Sequence, residues 1–380
     1  VTLAETRGVT LGANGGYLFG RNLNQLVMAS PVTGAGPLYI MLQSGFVKLG
    51  NTNNAYTGDT VVGSTGNGVF TPAPSAKLIL GDNEVIPDGA GMGGLVIDGA
   101  WKGMLDLNGK TETVNRLTGL GNAIIANGAA SGGVLHAGTD DGDTSFSGSL
   151  QSGVVLDKVG TGTLTYSNTA ASAGLLLVSD GAVKADAAGS ISQTAVQLDG
   201  ATLKTPVQTA GQRFSGPLLL SQDSALDRTG ASAAFVWSGS LLPTNAVGVP
   251  VLTVTGGSGP LAVGSTNRSA VFAIDASVAG GVVFTNRVWL ETLPASASWS
   301  IASGADVAIG TPGLLGTGLM TLTDYSARIV ASDSLGAGGE AVTVQGTGNS
   351  VWFDATRETD GRLRSEERRG GKECRSRWSP

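Results

Sequence analysis

His136 is the one histidine of the chain, and imidazole is the side chain readiest to move a proton near neutral pH. A catalytic triad or a zinc site would need a carboxylate, a nucleophile or further ligands around it. No H-x-x-x-H, H-E-x-x-H or G-x-S-x-G spacing surrounds it, so it reads as a surface residue near a turn. Asp140, Asp141 and Asp143 form the densest acidic cluster, and the bend of Asp-Asp-Gly-Asp could converge their oxygens on Ca²⁺. The EF-hand spacing and the repeated calcium-binding nonapeptide are both absent, which leaves a solvated turn as the plainer reading. Glycoside hydrolysis would need two carboxylates about 5–10 Å apart beside a sugar cleft. Acidic residues such as Asp98, Asp106 and Asp199 are instead single and stand in turn contexts. Trp101, Trp237, Trp289, Trp299 and Trp352 could stack on sugar rings, but scattered singly they read as packing or end-capping residues. Gly160-Thr161-Gly162 has the look of a phosphate loop. No G-x-x-x-x-G-K-[ST] occurs, however, and no helical pattern follows it. Catalytic, cofactor-binding and metal-binding residues are therefore all expected to be none, and no cofactor is expected.

The elements that would have to position any such chemistry are short. Of 380 residues 60 are Gly, yet 41% are apolar and only 14% charged, so the chain can bury enough surface to fold. Many brief apolar runs separated by Gly, Asn, Asp, Ser and Thr read as an all-β protein that turns every several residues. Leu105 and Leu107 fall on one side with Asp106 opposite. Leu164 and Tyr166 likewise oppose Thr163 and Thr165. That period of two belongs to strands with one buried face. Asp98-Gly99, Asn108-Gly109 and Asp199-Gly200 each end such a run with residues that tolerate positive φ, so each strand can close in a sharp bend. Strands of three to six residues are marginal alone and must stack on similar neighbours. A right-handed parallel β-helix, an elongated β-solenoid, meets these demands. With roughly 20–25 residues per coil it would have on the order of 15 coils and be ~70 Å long.

The last 17 residues differ from everything before them. Arg364 to Pro380 is dense in charge and without alternation, and it resembles an in-frame translation of a common sequencing-library adapter, with Gly370 where that translation usually has Val. The tail carries six Arg or Lys and three Glu. Residues 1–363 then hold 17 basic and 26 acidic residues, a net charge of −9. An acidic body offers no basic face to a phosphate backbone, so nucleic acid is not an expected partner. Cys374 lies in the tail, which leaves the body without disulfides or thiolate metal sites. The chain opens on Val1-Thr2-Leu3 and has no run near the ~20 apolar residues of a membrane span. Any signal or anchor is expected outside it.

Three recurring segments carry a family resemblance. Phe146-Ser147-Gly148 followed by Leu156-Asp157-Lys158-Val159-Gly160-Thr161-Gly162-Thr163-Leu164-Thr165 is similar to the autotransporter-associated β-strand repeat, whose core reads K-T-G-x-G-T-L-T-L. Leu105 to Gly109 with Leu117 to Gly121 resembles the segment before that core, and Asn54 to Val62 the N-x-Y-T-G-x-T-x-V segment after it. The likeness covers residues 40–205 best. Val159 stands where Thr is usual and Tyr166 where Leu is usual, and residues 168–174 lack the Asn-x-Tyr-Thr-Gly core. The resemblance implies a passenger region of a large exported protein of Gram-negative bacteria, extracellular or at the outer-membrane surface, and no catalytic residues. Residues 1–205 are expected to form a regular solenoid and 206–363 a more irregular continuation bearing Pro217, Pro243, Pro250 and Pro260. Residues 364–380 are expected to be a disordered, non-native tail. Expected partners are glycans or neighbouring cell surfaces, and the translocation machinery during export. The competing expectation is a polysaccharide-acting β-helix enzyme, a lyase or glycoside hydrolase.

Overall fold

In the computed structural model the chain is all-β, with parallel strands stacked as a β-solenoid of about nine turns and no helix among the described residues. The structure describes residues 1–20, 24–41, 45–64, 76–99, 103–168, 170–186, 191, 193–205, 212–231, 235–237, 239–244 and 250–256. From 261 to 353 it describes the backbone of short strands. Two compact units divide the chain, Val1–Gln197 and Leu198–Pro380.

In the first unit each coil passes through three strand positions. One coil runs Met104–Asp106, Thr111–Val114 and Leu117–Gly119. The next runs Ile124–Ala126, Gly133–Ala137 and Thr144–Phe146. Ser149–Leu150, Val154–Lys158 and Thr163–Tyr166 follow. Like positions pair in parallel, so Leu105 faces Leu78 on one side and Ile125 on the other. Coil length varies while register holds: Thr163 opposes Ala182, 19 residues on, whereas Thr60 opposes Leu95, 35 residues on. Extra residues fall between the paired strands, because a slip of one residue within them would turn every core side chain outward.

The alternation read from the sequence is the one observed. Thr163–Tyr166 buries Leu164 and Tyr166 completely and leaves Thr163 and Thr165 half exposed. In-register stacking converts that alternation into interior ladders, such as Val47, Leu78, Leu105, Ile125 and Leu150. Each Leu so buried contributes about 1.5–3 kcal/mol before the entropy cost of ordering. Side-chain size is matched along a second ladder. Gly119 opposes Phe146, and a Cβ at Gly119 would lie 2.2 Å from the ring. Phe146 meets Tyr166 at 5.9 Å between ring centroids, and Tyr166 opposes the small Ala185. At the corner Asn108 and Gly109 have φ of 50° and 73°, the left-handed bend expected of Asn-Gly.

The second strand position changes along the unit. Val9–Leu11, Val32–Gly34 and Ala55–Tyr56 occupy it first, paired with one another. In the coil that begins with Lys77–Leu80 a loop from Gly81 to Gly94 takes its place. From Thr111–Val114 onward the strand returns.

The second unit is built alike. Thr202–Lys204, Ser224–Asp227, Val251–Thr255 and Ala273–Ala276 pair in parallel. So do Gln212–Phe214, Phe235–Trp237, Leu261–Val263 and Val282–Phe284. Pro243 ends the strand Leu241–Pro243, a place where its missing N–H is tolerated, and Pro217 and Pro250 directly precede strands. Pro260 and the 364–380 tail with Cys374 lie outside the described residues. Among the described residues no helix is long and apolar enough to cross a membrane.

Candidate functional site

One column of polar side chains crosses the Gly133–Ala137 and Val154–Lys158 strands and reaches Ser179, directly after Leu175–Val178. His136 lies within its strand, half buried, two residues before the turn that Gly138 and Asp141 close. Register places it against Asp157, one coil on, and its Nδ1 stands 2.8 Å from Asp157 Oδ2. Asp157 is almost fully buried, and its other oxygen accepts from Ser179 Oγ at 2.7 Å. A carboxylate only accepts, so Nδ1 donates to Asp157, and that bond fixes the orientation of the ring. The hydroxyls in this column are directed elsewhere. Ser179 donates to Asp157, and Thr113, opposite His136 on the preceding coil, donates to Glu84 Oε1 at 3.1 Å. The column thus holds an oriented imidazole but aims neither hydroxyl at it.

Asp140, Asp141 and Asp143 serve their neighbours. Asp141 Oδ1 accepts from Thr161 N, and Asp143 Oδ1 from Thr163 N, both at 2.8 Å and both one coil on. The bond from the Thr161 amide, helped by the Thr161 hydroxyl, holds the Asp141 carboxyl below the usual carboxylate range. Asp140 pairs with Arg116 Nε at 2.7 Å and accepts from Gly142 N. Among the described residues no three His, Cys, Asp or Glu side chains converge as a metal site. The Gly160-Thr161-Gly162 bend presents its Thr161 amide to Asp141, the position a phosphate oxygen would otherwise take.

Beneath that bend sits Lys158, with no exposed surface. Its Nζ donates at 2.6 Å to the carbonyls of both Val159 and Gly160, and Gly160 takes φ of 71° to aim its carbonyl there. Burial depresses the Lys158 pKa, and Asp180, Asp141, Asp143 and Asp157 oppose that shift. Asp106 is a second buried charge, found in a strand where its sequence context suggests a turn. Lys77 pairs with it at 2.7 Å, and the Asn108 and Gly128 amides donate to its Oδ1. Burial works against its ionisation, but Lys77 and the two amides outweigh that, so its pKa is lowered.

Glu112 gave no sign of importance in the sequence. It occupies an interior position, heading the ladder Leu135, Leu156 and Leu176, and is fully buried. Its carboxyl accepts from Val85 N at 3.0 Å and Ile86 N at 2.8 Å. Burial pushes its pKa up to about 8, against the pull of those two amides, with Glu84 and Asp88 adding to the rise. Near it, Tyr56 OH and Thr60 Oγ1 lie 2.5 Å apart, and burial raises the phenol's pKa.

Of the tryptophans, Trp237 is buried against Phe214 at 5.1 Å and donates its indole N–H to Gly216 O, a packing role. Trp101 lies outside the described residues, and Trp289, Trp299 and Trp352 are described only as strand backbone. Among the described residues the exposed aromatics are instead Tyr17 and Phe19. Tyr17 is 42% exposed and stacks on Tyr39 of the next coil with centroids 4.7 Å apart. Compared with family models, curated proteins and solved structures, the chain matches none of them.

Proposed function

We propose that this chain is a stretch of an exported β-solenoid passenger of the autotransporter-associated repeat type, acting as a structural and adhesive element of a bacterial surface protein. The observation that carries this reading is what the repeat-like segment does in the fold. Lys158, Gly160, Thr161 and Thr163 are the residues that close a bend and fasten it to the coil before, while Leu164 and Tyr166 build the core. Such a motif is explained by stacking and needs no substrate. A chain whose coils each complete the one before can fold progressively as it emerges on the far side of a membrane. The cysteine-free acidic body suits that route.

Adhesion would use the outer face. Stacked tyrosines at coil spacing offer an aromatic edge with hydroxyls, a surface suited to a sugar ring. Two measurements test the reading. Residues 1–363 are placed between an export signal and an outer-membrane barrel, and surface display is timed with and without Lys158–Tyr166. Delayed display of the deletion supports the reading, and equal display contradicts it. A glycan array with the native chain and Tyr17→Ala then separates adhesion from transport alone.

The oriented His136 and Asp157 pair favours a second reading, a polysaccharide-acting enzyme. Release of reducing or unsaturated sugars from a polysaccharide panel, lost in His136→Gln, would establish it.

A further inference from the structure

The loop Gly81–Gly94 stands where every neighbouring coil has a strand, and it is fastened by side chains instead of a strand ladder. Glu84 N donates to Thr111 O, and the Glu84 carboxylate accepts from both the amide and the hydroxyl of Thr113. The strand replies through Glu112, whose carboxyl accepts from Val85 N and Ile86 N. Asn115 completes the fastening. Its amide donates to the Gly89 and Met92 carbonyls and accepts from Gly89 N. On the other side Asn54 Nδ2 donates to Val85 O. The loop thereby covers the edge of Thr111–Val114 and buries Val85 and Ile86.

We propose that this loop is a proton-controlled clasp, closed over the strand edge while Glu112 is neutral and released as Glu112 ionises. The groups around Glu112 make closure sensitive to its charge. From the loop it faces Glu84 and Asp88, both acidic; from the Ala55–Tyr56 strand, the Tyr56 phenol; and from the next coil, Leu135. Lys110, two residues away, is engaged with Asp82 at 3.5 Å. An ionised Glu112 thus has two amide donors, acidic neighbours and no exposed surface while the loop is shut. Opening hydrates it. With a closed-state value of about 8 against an ordinary 4.5, the closed form holds a proton that the open form releases over this range. Each pH unit between those limits then raises the open population about tenfold.

The test is amide hydrogen exchange on the full chain from pH 5 to 9, corrected for the intrinsic pH dependence of exchange. The opening constants of the Val85 and Ile86 amides should climb about tenfold per unit, level off above pH 8 and exceed that of the Leu156 amide at every pH, because the loop opens without the core. In Glu112→Gln the loop amides should become flat. Glu84→Gln removes an acidic neighbour and should move the levelling point to lower pH, which keeps the test decisive if Glu112→Gln does not fold. Loop amides that stay flat or open no more than Leu156 in the native chain, or a slope that persists unchanged in both variants, would overturn the clasp.

Discussion

Replacing Lys158 with Met keeps the length and packing of the aliphatic stem and removes only the ammonium. That ammonium is fully buried and donates at 2.6 Å to two carbonyls of the bend that follows it. A buried acceptor left without its donor costs ~1–3 kcal/mol. Part of that loss is offset because the ammonium's own desolvation penalty disappears. With two carbonyls orphaned, the net effect should be a loss of about 2–4 kcal/mol in the local stability of this coil, equivalent to roughly a 30-fold to several-hundred-fold rise in its opening constant. The amides of Ser179 and Asp180 both donate to Lys158 O and report that opening directly by hydrogen exchange. Lys184 provides the control. Its exposed pair with Asp186 at 2.9 Å should be worth no more than ~1 kcal/mol, so Lys184→Met should leave exchange nearly unchanged. Exchange at Ser179 and Asp180 within threefold of the native chain in Lys158→Met would refute the claim that this cation holds the bend.

Three further outcomes follow from the geometry. Gly119→Ala should destabilise the first unit by about 1–3 kcal/mol in chemical denaturation, because its Cβ would enter the Phe146 ring, and Phe146→Leu in the same chain should recover part of the loss. Lys77→Met should cost about 3 kcal/mol by leaving Asp106 buried and uncompensated, a loss that Asp106→Asn in the same chain would reduce. Stability should peak on the acidic side of neutrality. Glu112, raised to about 8, stabilises the fold while neutral, and that contribution fades as pH rises from 4.5 through 8. Asp106 and Asp227, both lowered, stabilise it while ionised, and that contribution is lost as pH falls below the ordinary carboxylate range. Denaturation midpoints across pH 3–9 should therefore be highest near about pH 5, and in Glu112→Gln the decline toward pH 8 should vanish.

The fold was legible because its signal is local. Leu105 with Leu107 and Leu164 with Tyr166 declare one buried face within four residues, and Asn108-Gly109 declares the bend. The polar constellations were not legible because their partners are one coil away in sequence. His136 and Asp157 are 21 residues apart, and Glu84 and Thr113 are 29 apart. Coil length also changes from turn to turn, so no fixed period brings these pairs together. Glu112, Asp106 and Lys158 were missed for a further reason. A polar residue in an alternating strand reads as outward-facing, and only the register shows that Glu112 stands at the head of Leu135, Leu156 and Leu176. Aligning successive coils on those three leucines would have exposed it, and would have set His136 over Asp157 as well.

Parallel, in-register stacking of coils is the claim on which every contact above depends, and disulfide trapping measures it directly. In a chain carrying Cys374→Ser, cysteines at Ser145 and Thr165 occupy facing positions on adjacent coils of one outward column. They should lie within the ~4.4–6.8 Å Cα separation a disulfide requires and oxidise readily. Cysteines at Thr163 and Lys184 are two residues out of the parallel register, since Thr163 faces Ala182. The account predicts rapid cross-linking of the first pair and little of the second. Rapid cross-linking of Thr163 with Lys184 and none between Ser145 and Thr165 would mean antiparallel or shifted strands, and would contradict it.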